Sequence, residues 1–334
     1  MNAPDRIANV PPLEWPQVGE SRVPYRVYTD PALYDLEQER IFRGPTWNFV
    51  ALAAELPNPG DFKSTFVGDT PVVVTRDAAG ALHCWVNRCA HRGALVCRTL
   101  RGNVGVDGTH TCVYHQWAYS AAGDLVGVPF RRGLGGKGGY PADFDMARHG
   151  LRKLRVEEYH GLVFATFDDS LPDVESHIGE TAASYIQRLF NRPVKPMGTH
   201  RQFINSNWKV YAENLRDPYH ASLLHLFHCT FGLYRSSQEG GVSLDPTLRH
   251  SVLTSKNSAK ESGKEAYQDD AISTYDENYR LADPSLLAGR PEFSDGKSAV
   301  IQTIFPGLVL QQIANTLAVR QVLPKAVDRF ELVW

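Results

Sequence analysis

The 334-residue chain has no excess of either charge, with 35 lysines and arginines against 37 aspartates and glutamates and a formal net charge of −2. Binding a nucleic-acid backbone calls for a basic face that displaces counterions, so no nucleic-acid partner is expected. No apolar run reaches the roughly 18 to 20 residues of a membrane span, and the N-terminal stretch lacks the basic, then apolar, then small pattern of a signal peptide. A cytoplasmic protein with no membrane partner is the expectation. Cysteines are few and odd in number, five in all, which argues against a disulfide framework. Cys84, Cys97 and Cys229 are expected to be buried thiols. Internal repeats are absent as well. Apolar material is plentiful, at 43% with 10% aromatics, and at this length it is enough for two cores and therefore two domains.

The other two cysteines stand beside histidines, in Cys89-Ala90-His91 and Cys112-Val113-Tyr114-His115, with 20 residues between His91 and Cys112. Two thiolates and two imidazoles on two tight loops, with room for a hairpin between them, are the layout of a Rieske [2Fe-2S] centre. There, two histidines replace two cysteines on one iron. The alternative is a structural Cys2His2 zinc site, which takes the same donors in a closed tetrahedron. A zinc finger usually groups its cysteines together and its histidines together, whereas each loop here supplies one of each, which favours the cluster. Gly93 lets the first loop turn back so that amide N–H groups can reach the sulfides, and bulky Tyr114 and Trp117 can shield one side of the second.

Short apolar stretches alternate with turn residues from Asp61 to Val86, resume at Trp117 and end at Leu162 to Phe167, predicting antiparallel strands and an all-β domain. Gly133-Leu134-Gly135-Gly136-Lys137-Gly138 fits G-x-G-x-x-G, but no strand leads into it and no amphipathic helix follows, so a surface loop is expected instead of a nucleotide site. Helical spacing covers Val174 to Phe190 and is stopped by Asn191-Arg192-Pro193. Between about Ser251 and Ser298 the text turns polar, with Lys256, Lys260, Lys264, Asp269 and Asp270, and predicts a long, partly mobile excursion. Strands are expected at 299–305, 308–315, 317–323 and 330–334.

A second constellation runs from Asn207 to His225. Trp208, Tyr211, Ala212 and Leu215 recur at i, i+3, i+4 and i+7, the buried stripe of a helix that Asn207 could cap. Lys209, Glu213 and Asp217 line another face, which by itself is equally a solvated salt-bridge ladder. Pro218 removes a backbone donor and disfavours helical geometry at Asp217, so the helix should end or kink there. His220 and His225 would splay by roughly 140° on one regular helix, and only a broken or restarted helix lets them converge. His225 with His228, three apart, is the competing pair.

Both Cys-His loops resemble the Rieske domain of aromatic-ring-hydroxylating oxygenases, with Gln116 where many relatives carry glycine. The stretch Glu213-Asn214-Leu215-Arg216-Asp217-Pro218-Tyr219-His220-Ala221-Ser222-Leu223-Leu224-His225 is similar to the mononuclear iron motif of the same family, E-N-x-x-D-x-Y-H-x-x-x-x-H, at every defined position. Ser21-Arg22-Val23-Pro24-Tyr25, Pro57-Asn58-Pro59-Gly60-Asp61-Phe62-Lys63 and Gly127-Val128-Pro129-Phe130-Arg131-Arg132-Gly133 look closest to the branch acting on anthranilate, salicylate and other ortho-substituted benzoates.

The resemblance implies an α+β fold, with an all-β Rieske domain at 46–167 inserted before a helix-plus-antiparallel-sheet (helix-grip) catalytic domain at 168–334. Residues 1–45 would pack on the catalytic domain. It implies that Cys89, His91, Cys112 and His115 hold the [2Fe-2S] cluster and that His220 and His225 hold a mononuclear Fe(II), leaving His228 to packing. The third, carboxylate ligand would lie beyond Trp334, since Asp245, Asp269, Asp276, Asp295 and Asp328 fall in loops before or between strands. Asp217 would bridge a Rieske histidine of one subunit to an iron-ligating histidine of its neighbour. The implied activity is that of a terminal oxygenase α subunit using O2 to hydroxylate an aromatic carboxylate, with dihydroxylation favoured over a salicylate-type monohydroxylation. Electrons would come from NADH through a reductase and ferredoxin, and the assembly would be α3, or α3β3 with a small β subunit. Gln311 and Gln312, a polar pair in an apolar strand, are candidates for bonding the substrate's carboxylate or ortho substituent. The rivals of another class are a Rieske electron-transfer protein, which would not need His220 and His225, and a zinc-stabilised binding module.

Overall fold

Alternation of apolar and turn residues becomes strands through most of the first half. These are β1 (Asn48–Leu52), β2 (Asp61–Val67), β3 (Thr70–Arg76), β4 (Leu82–Val86), β5 (Arg101–Asn103), β6 (His110–Thr111), β7 (Ala118–Tyr119), β8 (Leu125–Gly127), β9 (Lys153–Tyr159) and β10 (Leu162–Thr166). A computed structural model describes residues 10–16, 22–256, 264–269, 272, 273 and 275–334. Ser21, Lys260 and Asp270 lie outside the described residues, as does part of the polar stretch read as a mobile excursion. The chain divides into two compact units, the first holding the described residues up to His177 together with Leu189–Thr199 and Leu323–Lys325.

In this first unit one sheet runs β1-β10-β9-β4-β3-β2-β5 and a smaller one runs β6-β7-β8. Val72, Val73, Val74, Trp85, Leu162, Val163 and Phe164 are fully buried at the centre of the large sheet. β-Branched residues suit such a pleated, doubly covered surface. The glycine-rich stretch from Gly133 is a loop as expected, with Gly133, Gly135, Gly136, Gly138 and Gly139 all at positive φ. Ahead of β1 come α1 (Arg26–Thr29) and α2 (Pro31–Glu37). Although this segment was expected on the catalytic domain, its described residues belong to the first unit: Gln38 Oε1 accepts from Asp69 N at 2.8 Å. Gly68 lies beneath that contact at φ +56, where a Cβ would fall 2.2 Å from Gln38 Oε1, so no larger residue fits.

The helical spacing after Val174 gives α3 (Val174–Leu189), but Gly179 breaks it with φ 70 and ψ 165, so it is two helices in succession instead of the single one expected. The boundary between the units falls at this break, as His177 ends one stretch and Ile178 opens the other. Within the second unit β11 (Arg201–Ile204), β12 (Gly240–Leu244), β13 (Ser251–Lys256), β14 (Lys297–Ile304), β15 (Leu308–Ile313), β16 (Thr316–Ala326) and β17 (Arg329–Val333) form a sheet in the order β11-β17-β16-β15-β14-β13-β12. Its neighbours are antiparallel. The polar stretch from Ser251 therefore begins as a strand, correcting the expected excursion. Its consecutive residues Val252 and Leu253 are buried despite the polar text. Helices α4 (Trp208–Asn214), α5 (Pro218–Leu224), α6 (Leu226–Thr230) and α7 (Lys264–Asp269) complete the unit.

The second half of α3 covers one face of this sheet. Gln302 Nε2 donates to Ala182 O at 2.7 Å, and Arg188 Nη1 donates to Gln312 Oε1 at 3.0 Å. Arg188 also grips Asp295 with two bonds, of 2.8 and 3.0 Å, and lies 3.9 Å from the Phe293 ring centre. The hydrogen bond from Arg188, reinforced by Lys297, holds the Asp295 carboxyl well below the ordinary aspartate value of 3.8. A depressed folded-state pKa contributes stability that is complete above the unfolded value and is lost progressively as pH falls from there through the folded one. Asp295→Asn is therefore expected to lower stability by about 1–3 kcal/mol at neutral pH. Denaturant midpoints should show this deficit starting to shrink as pH falls below about 4, where an unfolded aspartate protonates, and shrinking further toward the lower pKa of the folded carboxyl.

No helix among the described residues is long and apolar enough to cross a membrane. All five cysteines are free and buried.

Candidate metal centres

The first Cys-His loop closes on itself through two backbone bonds of 2.8 Å, Cys89 N to Ala94 O and Gly93 N to Cys89 O. The second does the same with Cys112 N to Trp117 O and Gln116 N to Cys112 O, both at 2.9 Å. Each tight loop needs a left-handed residue: Gly93 at φ 73 in one, Gln116 at φ 55 in the other. Gly93 is the unstrained choice. Gln116 accepts a conformation that side chains rarely adopt, which is why glycine suits that position better.

The loops bring the predicted side chains together in pairs. Cys89 and Cys112 lie in one buried cluster with Trp117 and Tyr119. The His91 and His115 rings are 4.5 Å apart, and His91 stacks on Trp117 at 4.9 Å with 12° between planes. Tyr114 covers the outer side of His115, with ring centres 3.9 Å apart. Both expected shields are therefore in place. His91 Nδ1 is buried without a hydrogen-bond partner, and burial, followed by the neighbouring His115, pushes the imidazole pKa down. A neutral imidazole with an unused nitrogen is what a metal requires.

A closed zinc site needs four donors around one ion, whereas a mixed cluster takes only two protein ligands on each of its irons. Two cysteines and two histidines set in pairs fit the cluster.

Sequence reading missed Tyr119. Its hydroxyl lies 3.1 Å from Cys89 Sγ and accepts from Ala90 N at 3.1 Å, so its own proton points at the sulfur. Burial, then the bond to Cys89, holds the phenol well above its ordinary range, so it remains a donor. Tyr119 and Cys89 meet in the same buried cluster, a tertiary contact that no local spacing in the sequence announces.

The second constellation breaks where proline predicts. Asn207 caps α4 by accepting from Lys209 N at 3.0 Å. Asp217 is extended, at φ −97 and ψ 102, and Pro218 becomes the first residue of α5. Asp217 Oδ1 caps the new helix, accepting from Tyr219 N at 2.7 Å and from His220 N at 3.4 Å. The restart ends the salt-bridge ladder before Asp217 and turns His220 inward. A second break at His225, φ −97 and ψ 83, separates α5 from α6.

The ring centres of His220 and His225 are 5.3 Å apart, and those of His225 and His228 5.6 Å. Burial lowers the pKa of both His225 and His228, with the neighbouring histidine the second cause in each. His220 Nδ1 faces Asp217 Oδ2 at 3.3 Å, an ion-pair distance without hydrogen-bond geometry. Asn214 Nδ2 lies 3.0 Å from His220 Nε2, which puts Nε2 in the acceptor role and the ring proton on the Asp217 side. In that tautomer a metal at Nε2 would take the place of the bond from Asn214.

The two imidazoles suit a mononuclear iron site of histidines and a carboxylate. Asp295 is engaged with Arg188, and Asp245 accepts from Thr247 N and His250 N. Gln311 and Gln312 are both buried, but alternation puts them on opposite faces of β15. Gln312 faces α3 and has both amide atoms engaged, with Arg188 and with Ala314 O. Gln311 lies on the other face, the one from which Arg320 reaches Tyr211 of α4 at 2.7 Å.

Two family models match the chain. Residues 46–137 match the Rieske [2Fe-2S] domain, and residues 177–334 match the ring hydroxylating alpha subunit catalytic domain. The anthranilate 1,2-dioxygenase large subunit of Burkholderia cepacia is 53% identical over 323 residues, covering 96% of this chain and 75% of that one. The salicylate 5-hydroxylase large oxygenase component of a Ralstonia species is 42% identical over 342 residues, covering 100% of this chain and 80% of its own length. Among solved structures, naphthalene 1,2-dioxygenase from a Rhodococcus species bound to indole superposes with a TM-score of 0.71 at 22% identity, covering 99% of this chain and 76% of that one, and shares the fold. The cofactors of such a chain are a [2Fe-2S] cluster and a mononuclear iron, and the chain belongs to the Rieske-type ring-hydroxylating oxygenases as an α, or large, subunit.

Proposed function

We propose that this subunit hydroxylates an aromatic carboxylate of the ortho-substituted benzoate type. Cys89 and Cys112 would hold one iron of the cluster, His91 and His115 would hold the other, and His220 and His225 would hold the mononuclear Fe(II). When bound, the cluster supplies electrons singly and the ferrous ion activates O2 for attack on the ring. The chain's own residues prepare that chemistry. Tyr119 donates to Cys89 Sγ, Trp117 and Tyr114 keep water from the histidines, and Asp217 orients the His220 ring and its proton. The observation that carries this reading is the paired placement of His91 with His115 and of His220 with His225, the latter beside Asp217.

The electron donors are NADH, a reductase and a ferredoxin, and the assembly is a homotrimer, α3 or α3β3 with a small β subunit, in the cytoplasm. Asp217, with nearly half of its side chain exposed, is free to meet a neighbouring subunit's Rieske histidine. Dihydroxylation is the leading outcome, given the anthranilate 1,2-dioxygenase likeness. Monohydroxylation is the second reading, favoured by the likeness to a salicylate 5-hydroxylase.

The test is turnover of the complete α chain with its electron donors on ortho-substituted benzoates against uncharged arenes, scoring product and O2 consumed. Hydroxylated acids from the carboxylates alone support the proposal, and preferred turnover of the uncharged arenes refutes it. In the same series Gln311→Leu should weaken use of the ortho-substituted acids roughly tenfold, the loss of one hydrogen bond. Gln312→Leu should leave substrate discrimination unchanged. Tyr119→Phe removes a donor from a cluster sulfur, so the midpoint potential should fall by tens of millivolts, readable by redox titration. An unmoved potential would show that the Tyr119 hydroxyl does not act on the cluster.

A further inference from the structure

Arg320 is a buried cation with no acid beside it among the described residues. The residue is 7% exposed, its Nη1 donates to Tyr211 Oη at 2.7 Å, and its guanidinium carbon lies 3.9 Å from the Trp334 ring centre. Its Nε is buried without a hydrogen-bond partner, and no described carboxylate pairs with it. Arginine remains charged in proteins, so a desolvated guanidinium calls for a counter-ion.

The sheet register shows what else shares its surroundings. Thr303, Val309 and Arg320 stand opposite one another across β14, β15 and β16, and Ile301, Gln311 and Ala318 form the next row on the same face. Thr303 Oγ1 is likewise buried and unpartnered. On the opposite face, by contrast, Gln302 and Gln312 bond to α3 and its Arg188. The face with unmet donors is the one that fronts α4, the helix leading into Asp217 and His220. Tyr211 Oη already accepts from Arg320, so its own proton is left to donate onward.

We propose that Arg320 is the residue that recognises the carboxylate of the substrate, with Tyr211 as a second donor and Gln311 on the same face reading the rest of the ring. The inference rests on the aromatic-acid reading above and adds the residue responsible for it. A planar guanidinium pairs with a carboxylate by charge and by parallel hydrogen bonds, and a neutral carboxamide of the same shape cannot replace that charge.

The experiment measures equilibrium binding of 2-aminobenzoate and of uncharged 2-aminobenzamide to the complete, iron-loaded enzyme, wild type against Arg320→Gln and Arg320→Lys. Arg320→Gln is expected to weaken 2-aminobenzoate binding roughly 100-fold, the loss of a charge-assisted pair, with the amide unchanged. Arg320→Lys should recover part of the preference, with iron content and the cluster's spectrum unaltered in both. Equal loss for both ligands, or loss of iron, would assign Arg320 to packing against Trp334 and overturn the proposal. Unchanged carboxylate preference in both variants would overturn it too. Wild-type enzyme that binds no aromatic acid overturns the aromatic-acid reading as well, whereas wild-type binding with unaltered variants overturns only the role given to Arg320.

Discussion

Alanine at His220 or His225 is expected to abolish hydroxylation, a loss of at least about 1000-fold, while the cluster stays intact. The rings stand 5.3 Å apart at a helix break that exists to aim them, and no third described side chain joins them around one point. With so few protein ligands, losing one imidazole removes the iron outright. The cysteine-histidine loops are closed by their own backbone bonds and should not respond. Iron analysis should fall by one atom per chain, and the cluster's absorption and paramagnetic signal should remain. A variant that keeps all its iron and its turnover would reassign the site, with His225 and His228 as the next pair to examine.

Asp217 should have an effect nearly as large for a different reason. Its Oδ1 caps α5 and its Oδ2 faces His220 Nδ1, so the carboxylate does two things that substitution can separate. Asparagine is as good a cap as aspartate, whereas alanine loses about 1 kcal/mol of helix stability. Neither replaces the anion that fixes the His220 proton and that, in the proposed assembly, links to the next subunit's cluster. Turnover should therefore drop about 100-fold or more in both Asp217→Asn and Asp217→Ala, with all metal bound and only Asp217→Ala less stable. Rapid-mixing reduction of the cluster should be normal in both, and its reoxidation in the presence of substrate and O2 should be slow. Normal reoxidation in Asp217→Asn would remove Asp217 from the route between centres.

These expectations rest on residues whose spacing along the chain limits what they can do. Cys89 with His91, and Cys112 with His115, are close enough in sequence that a tight turn must bring each pair together. Asp217-Pro218 is legible for the same reason: proline tolerates only the first turn of a helix, so the break and the restart are local events. What depends on register was not legible. Gln311 and Gln312 are neighbours in the text, yet the pairing of β15 with β14 and β16 sends one toward α4 and the other into Arg188. Tyr119 reaches Cys89 from 30 residues away because both pack into one buried cluster, which no local spacing announces. Gly179 splits a helix whose apolar spacing runs on without interruption, and β12, with two glycines and little burial, gives no periodic signal.

The central claim is that Cys89, His91, Cys112 and His115 carry an electron store and that His220 and His225 carry a separate iron. Quantifying iron, zinc and acid-labile sulfide in the complete α chain, with the cluster's paramagnetic signal recorded after reduction, tests it most directly. The account predicts three irons and two sulfides per chain, one iron lost selectively in His220→Ala, and the reduced signal of a mixed-ligand cluster. Zinc in place of iron, without sulfide or a reducible signal, would contradict it.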